Sequence, residues 1–138
     1  METVQKRIQC YLSCSWYFDQ AYEELAKMLE KSNEFTFDFH TVQAHIARSP
    51  SYQGRLRYER IKDKMETCDA LLLLGGVYTH YHDWISKEIM ACKSEGDKPL
   101  IVVLKDHNLH ISPVVKRYAD RCVPWNAEEL FKAFHDLI

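Results

Sequence analysis

The sequence predicts a three-layer α/β fold: a five-stranded parallel sheet in the flavodoxin-like order 2-1-3-4-5, with helices on both faces. Three observations carry this expectation. Strand-like and helix-like segments alternate five times along 138 residues, which specifies parallel strands joined by right-handed crossovers. Two of the strand-like runs, 69–74 (DALLLL) and 99–104 (PLIVVL), are apolar without alternation, as strands buried on both faces must be. The length fits a single domain, 1–138. With 46% hydrophobic residues and only four Gly and four Pro, it has apolar surface enough to offset chain entropy and too little punctuation for a linker.

Arg7–Leu12 is a short run of β-formers and opens the sheet. Asp19 stands where an N-cap belongs, before a helix over Gln20–Lys31 in which Ala21, Leu25, Met28 and Leu29 recur at helical spacing. Phe35–Phe39 alternates Phe with Thr and Asp, a period-two strand with Phe out of one face. His40–Tyr52 has no clean period, ends in Ser49-Pro50-Ser51, and reads as a long loop of the kind that often carries function. Gly54–Glu66 is a charged helix with Leu56, Ile61 and Met65 as its apolar positions, and the strand at 69–74 stops at Gly75-Gly76. His82–Glu95 is the next helix, with Asp83 as N-cap and Gly96 as its stop. After Pro99–Leu104 come a variable stretch, a short helix at Val114–Ala119, a brief strand at Arg121–Pro124, and a last helix, Ala127–Leu137, capped by Asn126.

Composition narrows the function. Eighteen basic and twenty acidic residues leave a charge of −2, no footprint for nucleic acid or an anionic membrane. Five cysteines, an odd number with no C-x-x-C, fall mostly in apolar runs and suit a reducing compartment. The first residues lack a signal-peptide core and the aliphatic runs are too short to span a bilayer, so a cytoplasmic protein is expected. Phosphate loops of the G-x-x-x-x-G-K-[ST] and G-x-G-x-x-G types are missing, as is a G-x-S-x-G elbow. Leu12-Ser13-Cys14 and Leu74-Gly75-Gly76 lack the acidic residues of a phosphoacceptor receiver. His80 and His82, and His107 and His110, have no Cys at ligand spacing, so no metal site is expected. Arg55, Arg57, Arg60, Lys62 and Lys64 interleave with Glu59, Asp63 and Glu66, the pattern of a solvated helix face.

In the 2-1-3-4-5 order the crevice opens at the carboxyl ends of strands one and three, which puts Ser13–Phe18 and Gly75–Asp83 at its edges. These edges supply aromatic surface: Trp16, Tyr17 and Phe18 on one side, Tyr78, Tyr81 and Trp84 on the other. Each ring alone could equally be core; two clusters on one crevice suit a ligand with flat rings, such as a nucleotide. Glu88 lies one turn after Trp84, with Ile85, Ala91 and Cys92 as its other neighbours and no basic residue among them. It sits beside the apolar stripe Ile85, Ile89 and Cys92, where a carboxylate is partly desolvated, a recurrent trait of catalytic acids. The plainer reading is a surface Glu on a helix flank.

The segment Asp83–Met90 (DWISKEIM), followed by Ala91, Gly96, Lys98-Pro99 and Leu100–Leu104, resembles the TIR (Toll/interleukin-1 receptor) domain. The likeness is to its catalytic branch, which includes the animal axon-degeneration NADase and the bacterial Thoeris anti-phage defence proteins. There a Trp is followed four residues on by the catalytic Glu and then Ile, the places held here by Trp84, Glu88 and Ile89. Leu12-Ser13-Cys14-Ser15 with Asp19 resembles the family's strand-one motif, with Cys14 in place of an aromatic residue. Phe37-Asp38 matches the end of its second strand. Ile61–Gly76 resembles its third-strand approach, with Met65 for an Ile and Cys68 for a Ser, whereas the loop 40–52 departs from the pattern.

The resemblance implies an enzyme that cleaves NAD between nicotinamide and ribose, with Glu88 catalytic and NAD a substrate, no cofactor being needed. Trp16, Tyr17 and Trp84 become candidate stacking residues, Ser13, Ser15 and Asp38 candidate polar contacts, and Tyr78 a further substrate-binding candidate. A Thoeris-type product would be a cyclised or conjugated ADP-ribose read by a separate effector protein, and assembly into a homo-oligomer is a further option. Two rivals stand beside this reading. One is a TIR-like interaction module without turnover; the other is an enzyme resembling nucleoside 2-deoxyribosyltransferases, of similar topology and also with a catalytic Glu.

Overall fold

The computed structural model describes residues 6–13, 16, 21–42, 54–76, 78–94, 96–105 and 111–138, with 54–57 and 78–81 described as backbone. Its elements run β1 (Lys6–Leu12), α1 (Tyr22–Glu30), β2 (Phe35–His40), α2 (Gly54–Glu66), β3 (Ala70–Leu74), α3 (Tyr78–Ser94), β4 (Leu100–Leu104), α4 (Pro113–Tyr118), β5 (Arg121–Pro124) and α5 (Ala127–Leu137). Every strand pairing is parallel, and the five strands lie in the order β2-β1-β3-β4-β5. The chain thus winds one way from β1 to β2 and the other way from β3 onward, and the reversal falls between β1 and β3, as the alternation of segments predicts.

The pleat divides the core in two. Ile8, Cys10 and Leu12 of β1 share a face with Ala70, Leu72 and Leu74 of β3 and pack with Leu25 and Leu29 of α1 and Leu130 and Phe134 of α5. Tyr11, Leu71 and Leu73 point the other way, onto Ile61 and Met65 of α2 and Ile85 and Ile89 of α3. The alternation in β2 sends Phe35, Phe37 and Phe39 to the first face, where Phe37 meets Phe134 edge-on at 4.9 Å. Thr36, Asp38 and His40 therefore fall on the second, polar at this edge of the sheet.

Helix ends follow local chemistry. Asn126, extended at φ −152°, accepts the N–H of Glu129 at 3.0 Å and so caps α5, as its position predicts. Asn126→Ala should cost about 1 kcal/mol of stability, read as a lower urea midpoint at unchanged slope. A variant with the wild-type midpoint would show the cap to be idle. At the other helices the boundaries shift. Helix α1 begins after Ala21, which makes no side-chain cap; Asp19, expected there, lies outside the described residues. Pro113 takes the first position of α4, where its missing N–H costs nothing.

The larger correction concerns α3. It starts at Tyr78, not His82, because Gly76 (φ 91°) turns the chain from β3 almost directly into the helix. The Tyr-Thr-His-Tyr run that opens it has low helix propensity and conceals the start. Asp83 is consequently no N-cap; it lies inside the helix and pairs with Lys87 one turn on, at 2.9 Å. Gly96 (φ 111°) follows the helix as the expected stop, in the left-handed conformation glycine tolerates best.

The cysteines behave as small core residues. Cys10, Cys68 and Cys92 are free and buried, Cys122 is free and exposed, and Cys14 lies outside the described residues. Burial pushes the Cys68 thiol up to about 11 and that of Cys92 up to about 12, and raises Cys10 well above the ordinary thiol range. The native protein at pH 8 should therefore leave these three unmodified by iodoacetamide, and peptide mass mapping would expose the error if any of them reacted as fast as in urea.

No helix among the described residues is long and apolar enough to cross a membrane. Among the same residues, no group of three or more His, Cys, Asp or Glu side chains is arranged to hold a metal ion; the side chains of His80, His107 and His110 lie outside them.

Candidate functional site

The site grows from the carboxyl end of β1. Ser13 donates its backbone N–H to the Leu72 carbonyl at 3.0 Å, extending the β1–β3 ladder one residue beyond the strand. Trp16 turns back onto this point: its backbone N–H reaches the Ser13 carbonyl at 3.2 Å, and its indole Nε1 donates to the Leu72 carbonyl at 3.0 Å. One carbonyl of β3 thus holds two donors from the segment after β1. The Trp16 carbonyl in turn accepts the N–H of Ala21 at 3.3 Å, leading the chain into α1.

Alternation places the Ser13 side chain on the α2–α3 side of the sheet, next after Tyr11. There its hydroxyl donates to Oε1 of Glu88 at 2.6 Å, and both residues are fully buried. Glu88 arrives from α3, whose inward stripe of Ile85, Ile89 and Cys92 packs against the sheet and carries the carboxylate in with it. A carboxylate withdrawn from water is costly unless hydrogen-bonded, and the Ser13 hydroxyl supplies a short bond of the charge-assisted length. One turn earlier Trp84 is only 6% exposed, and its buried Nε1 has no hydrogen-bond partner among the described residues. Most buried donors are satisfied, so this N–H is an exception among the described residues.

Among the sequence-predicted residues, Ser13, Glu88 and Trp84 lie on the α2–α3 side of the sheet, and Ser13 touches Glu88 directly. Trp16 does not belong with them. Its ring is fully buried among the residues packed by α1 and α5, 6.1 Å from Trp125, on the face of the sheet opposite Glu88. Asp38 is also placed elsewhere. It stands opposite Gln9 in the β1–β2 pairing, four residues short of Ser13, or roughly 13 Å along the strand. There it accepts from Arg7 at 2.9 Å and from Gln9 at 2.8 Å, and the Arg7 bond first, then the Gln9 bond, holds its carboxyl below the usual range. Ser15 and Tyr17 lie outside the described residues, as does the side chain of Tyr78, whose backbone opens α3. The Ser13–Glu88 bond itself was not foreseen: the two are 75 residues apart, and only the predicted strand order, which brings β1 beside β3, hinted that they could meet.

Comparison with known proteins bears on both fold and family. A solved structure, the signal receiver domain of a modulated diguanylate cyclase from Desulfovibrio desulfuricans G20, described as an example of alternate folding, superimposes with a TM-score of 0.60 over 96% of this chain and 94% of its own, at 14% identity. That likeness speaks for the α/β architecture alone. No curated protein sequence matches the chain. The family model of the TIR-like domain of Thoeris protein ThsB matches residues 12–109, a span that runs from the end of β1 past β4 and contains Ser13, Trp84 and Glu88. On that match across most of its length, the chain belongs to the ThsB family of TIR-like Thoeris domains.

Proposed function

We propose that this domain cleaves the nicotinamide–ribose bond of NAD, with Glu88 as the catalytic carboxylate, and releases an ADP-ribose-derived signal in bacterial anti-phage defence. The observation that carries the reading is the fully buried Glu88, tied to Ser13 where the first strand ends beside the third. Ordinary glycosidases need two carboxylates, because an alkoxide leaving group must be protonated. Nicotinamide in NAD already bears a positive charge on its ring nitrogen and departs neutral, so no general acid is required. What remains is to orient the ribose and stabilise an oxocarbenium-like centre, and one carboxylate in a water-poor site can do both. The Ser13 hydroxyl sets the direction of the carboxylate through Oε1. The indole N–H of Trp84 is a donor for an acceptor atom of the same substrate.

On this reading the protein works in the cytoplasm and a separate effector protein reads the product. How water, the adenine or another hydroxyl captures the ribose depends on how far solvent is excluded. The enclosure of Glu88 also favours a second reading, a non-catalytic interaction module in which the Ser13–Glu88 pair is a satisfied polar contact of the core.

Mass spectrometry of the products formed from NAD by the purified protein, with deoxynucleosides as a parallel substrate, separates the readings. Nicotinamide release that disappears in Glu88→Gln supports the proposal. Silence toward NAD at high protein concentration favours the interaction module, and turnover of deoxynucleosides alone favours the deoxyribosyltransferase-like alternative.

A further inference from the structure

A cavity whose described lining does not include Glu88 lies at the edge of the sheet. About 500 Å³ in volume, it lies between the far end of the edge strand β2 and the outer side of α2. That is the size range of small-molecule sites. Its helical wall has a simple origin. At about 100° per residue, Arg60, Asp63, Lys64 and Thr67 fall within one arc of α2 and its last turn, beside the Ile61–Met65 stripe that enters the core. The charges expected to form a solvated face are thus divided, and these three line a concavity.

The opposite wall is prepared from the sheet. On its polar edge Arg7 donates to Asp38, and Gln9 donates its amide N–H to Asp38 at 2.8 Å. That orientation turns the Gln9 oxygen toward Nε2 of His40, 2.5 Å away, so Nε2 carries a hydrogen, and of the two tautomers only the one with Nδ1 as acceptor fits. His40 is therefore held in one tautomer at the cavity, followed by Thr41 and by the apolar wall of Val42.

We propose that this cavity is a second binding site, for a nucleotide. Arg60 and Lys64, one turn apart, form the cationic pair that a phosphate or diphosphate requires, while the hydroxyls of Thr41 and Thr67 donate to the carbonyls of Val42 and Lys64 and keep their oxygens as acceptors. Asp63 would repel a bare anion; beside a phosphate-bound sugar it accepts from ribose hydroxyls, as does Nδ1 of His40. Among the described residues, a lining of two cations, a carboxylate, an imidazole, two hydroxyls and one apolar side chain fits a phosphorylated sugar with a base attached better than an inorganic ion. None of these residues takes part in the Ser13–Glu88 contact, so the proposal does not depend on the activity inferred for Glu88.

Isothermal titration with ADP, against adenosine as the unphosphorylated control, tests it. Arg60 and Lys64 are exposed, so Met at either position should leave the thermal midpoint in place. ADP should bind saturably to the wild-type chain and to Glu88→Gln, with an affinity weakened about tenfold or more in Arg60→Met and in Lys64→Met. Lys64→Arg should restore it, and adenosine should not respond to these substitutions. Absence of saturable ADP binding, or equal affinity in the wild type and both Met variants, would overturn the assignment.

Discussion

Glu88→Gln is expected to lower nicotinamide release from NAD by about 10²–10³, the usual loss for one preorganised electrostatic group, while the protein stays folded. The substitution is chosen for what it keeps. Gln has nearly the volume of Glu, so the space between Ile85 and Ile89 on α3 stays filled, and its amide oxygen can still accept the Ser13 hydroxyl that now bonds Oε1 at 2.6 Å. The negative charge is removed, and one carboxylate oxygen becomes an amide N–H donor. If the charge acts on an oxocarbenium-like centre, kcat falls and the urea midpoint stays near the wild-type value. A purely structural pair predicts the reverse weighting: a change in midpoint from exchanging a charge-assisted bond for a neutral one, and no change in any turnover. Measuring both on the same preparation makes the result decisive, and equal rates for wild type and Glu88→Gln would remove Glu88 from the chemistry.

The parts of the molecule visible in the sequence are those governed by local rules. Uninterrupted Leu and Val runs declared β3 and β4 as central strands, and the Phe alternation of β2 announced which face it would bury. Asn126 and Gly96 announced a helix start and a helix end through backbone chemistry that any sequence obeys. Glu88 was visible for a related reason: a carboxylate beside an apolar helical stripe, with no cation one turn away on its helix, has to be accommodated by something else in the fold. What the sequence concealed was tertiary. Trp16 looked like its aromatic neighbours, and nothing local shows that its N–H would be spent on a carbonyl 56 residues away. Asp38 carried a family likeness but is claimed by Arg7, a partner on the adjacent strand. The proposed nucleotide cavity is built from an edge strand and a helix face whose charges, read in one dimension, merely interleave.

Trp16→Ala should cost about 3–5 kcal/mol of unfolding free energy, as deletion of a fully enclosed large aromatic side chain does. Set against a total of about 5–15 kcal/mol for a typical domain, that brings the chain close to unfolding at ambient temperature. Trp16→Phe should cost only about 1 kcal/mol, because the Leu72 carbonyl that loses the indole N–H keeps the backbone N–H of Ser13. The pair of variants also decides what the residue is for. A ring that stacked on a ligand would show itself as a raised KM for NAD in the Phe or Ala variant with little change in the urea midpoint. An anchor behaves differently: the midpoint falls, KM holds, and kcat declines in the Ala variant, because Ser13 loses the turn that fixes its hydroxyl against Glu88. Stability and kcat should therefore move together at position 16, and at position 88 kcat alone.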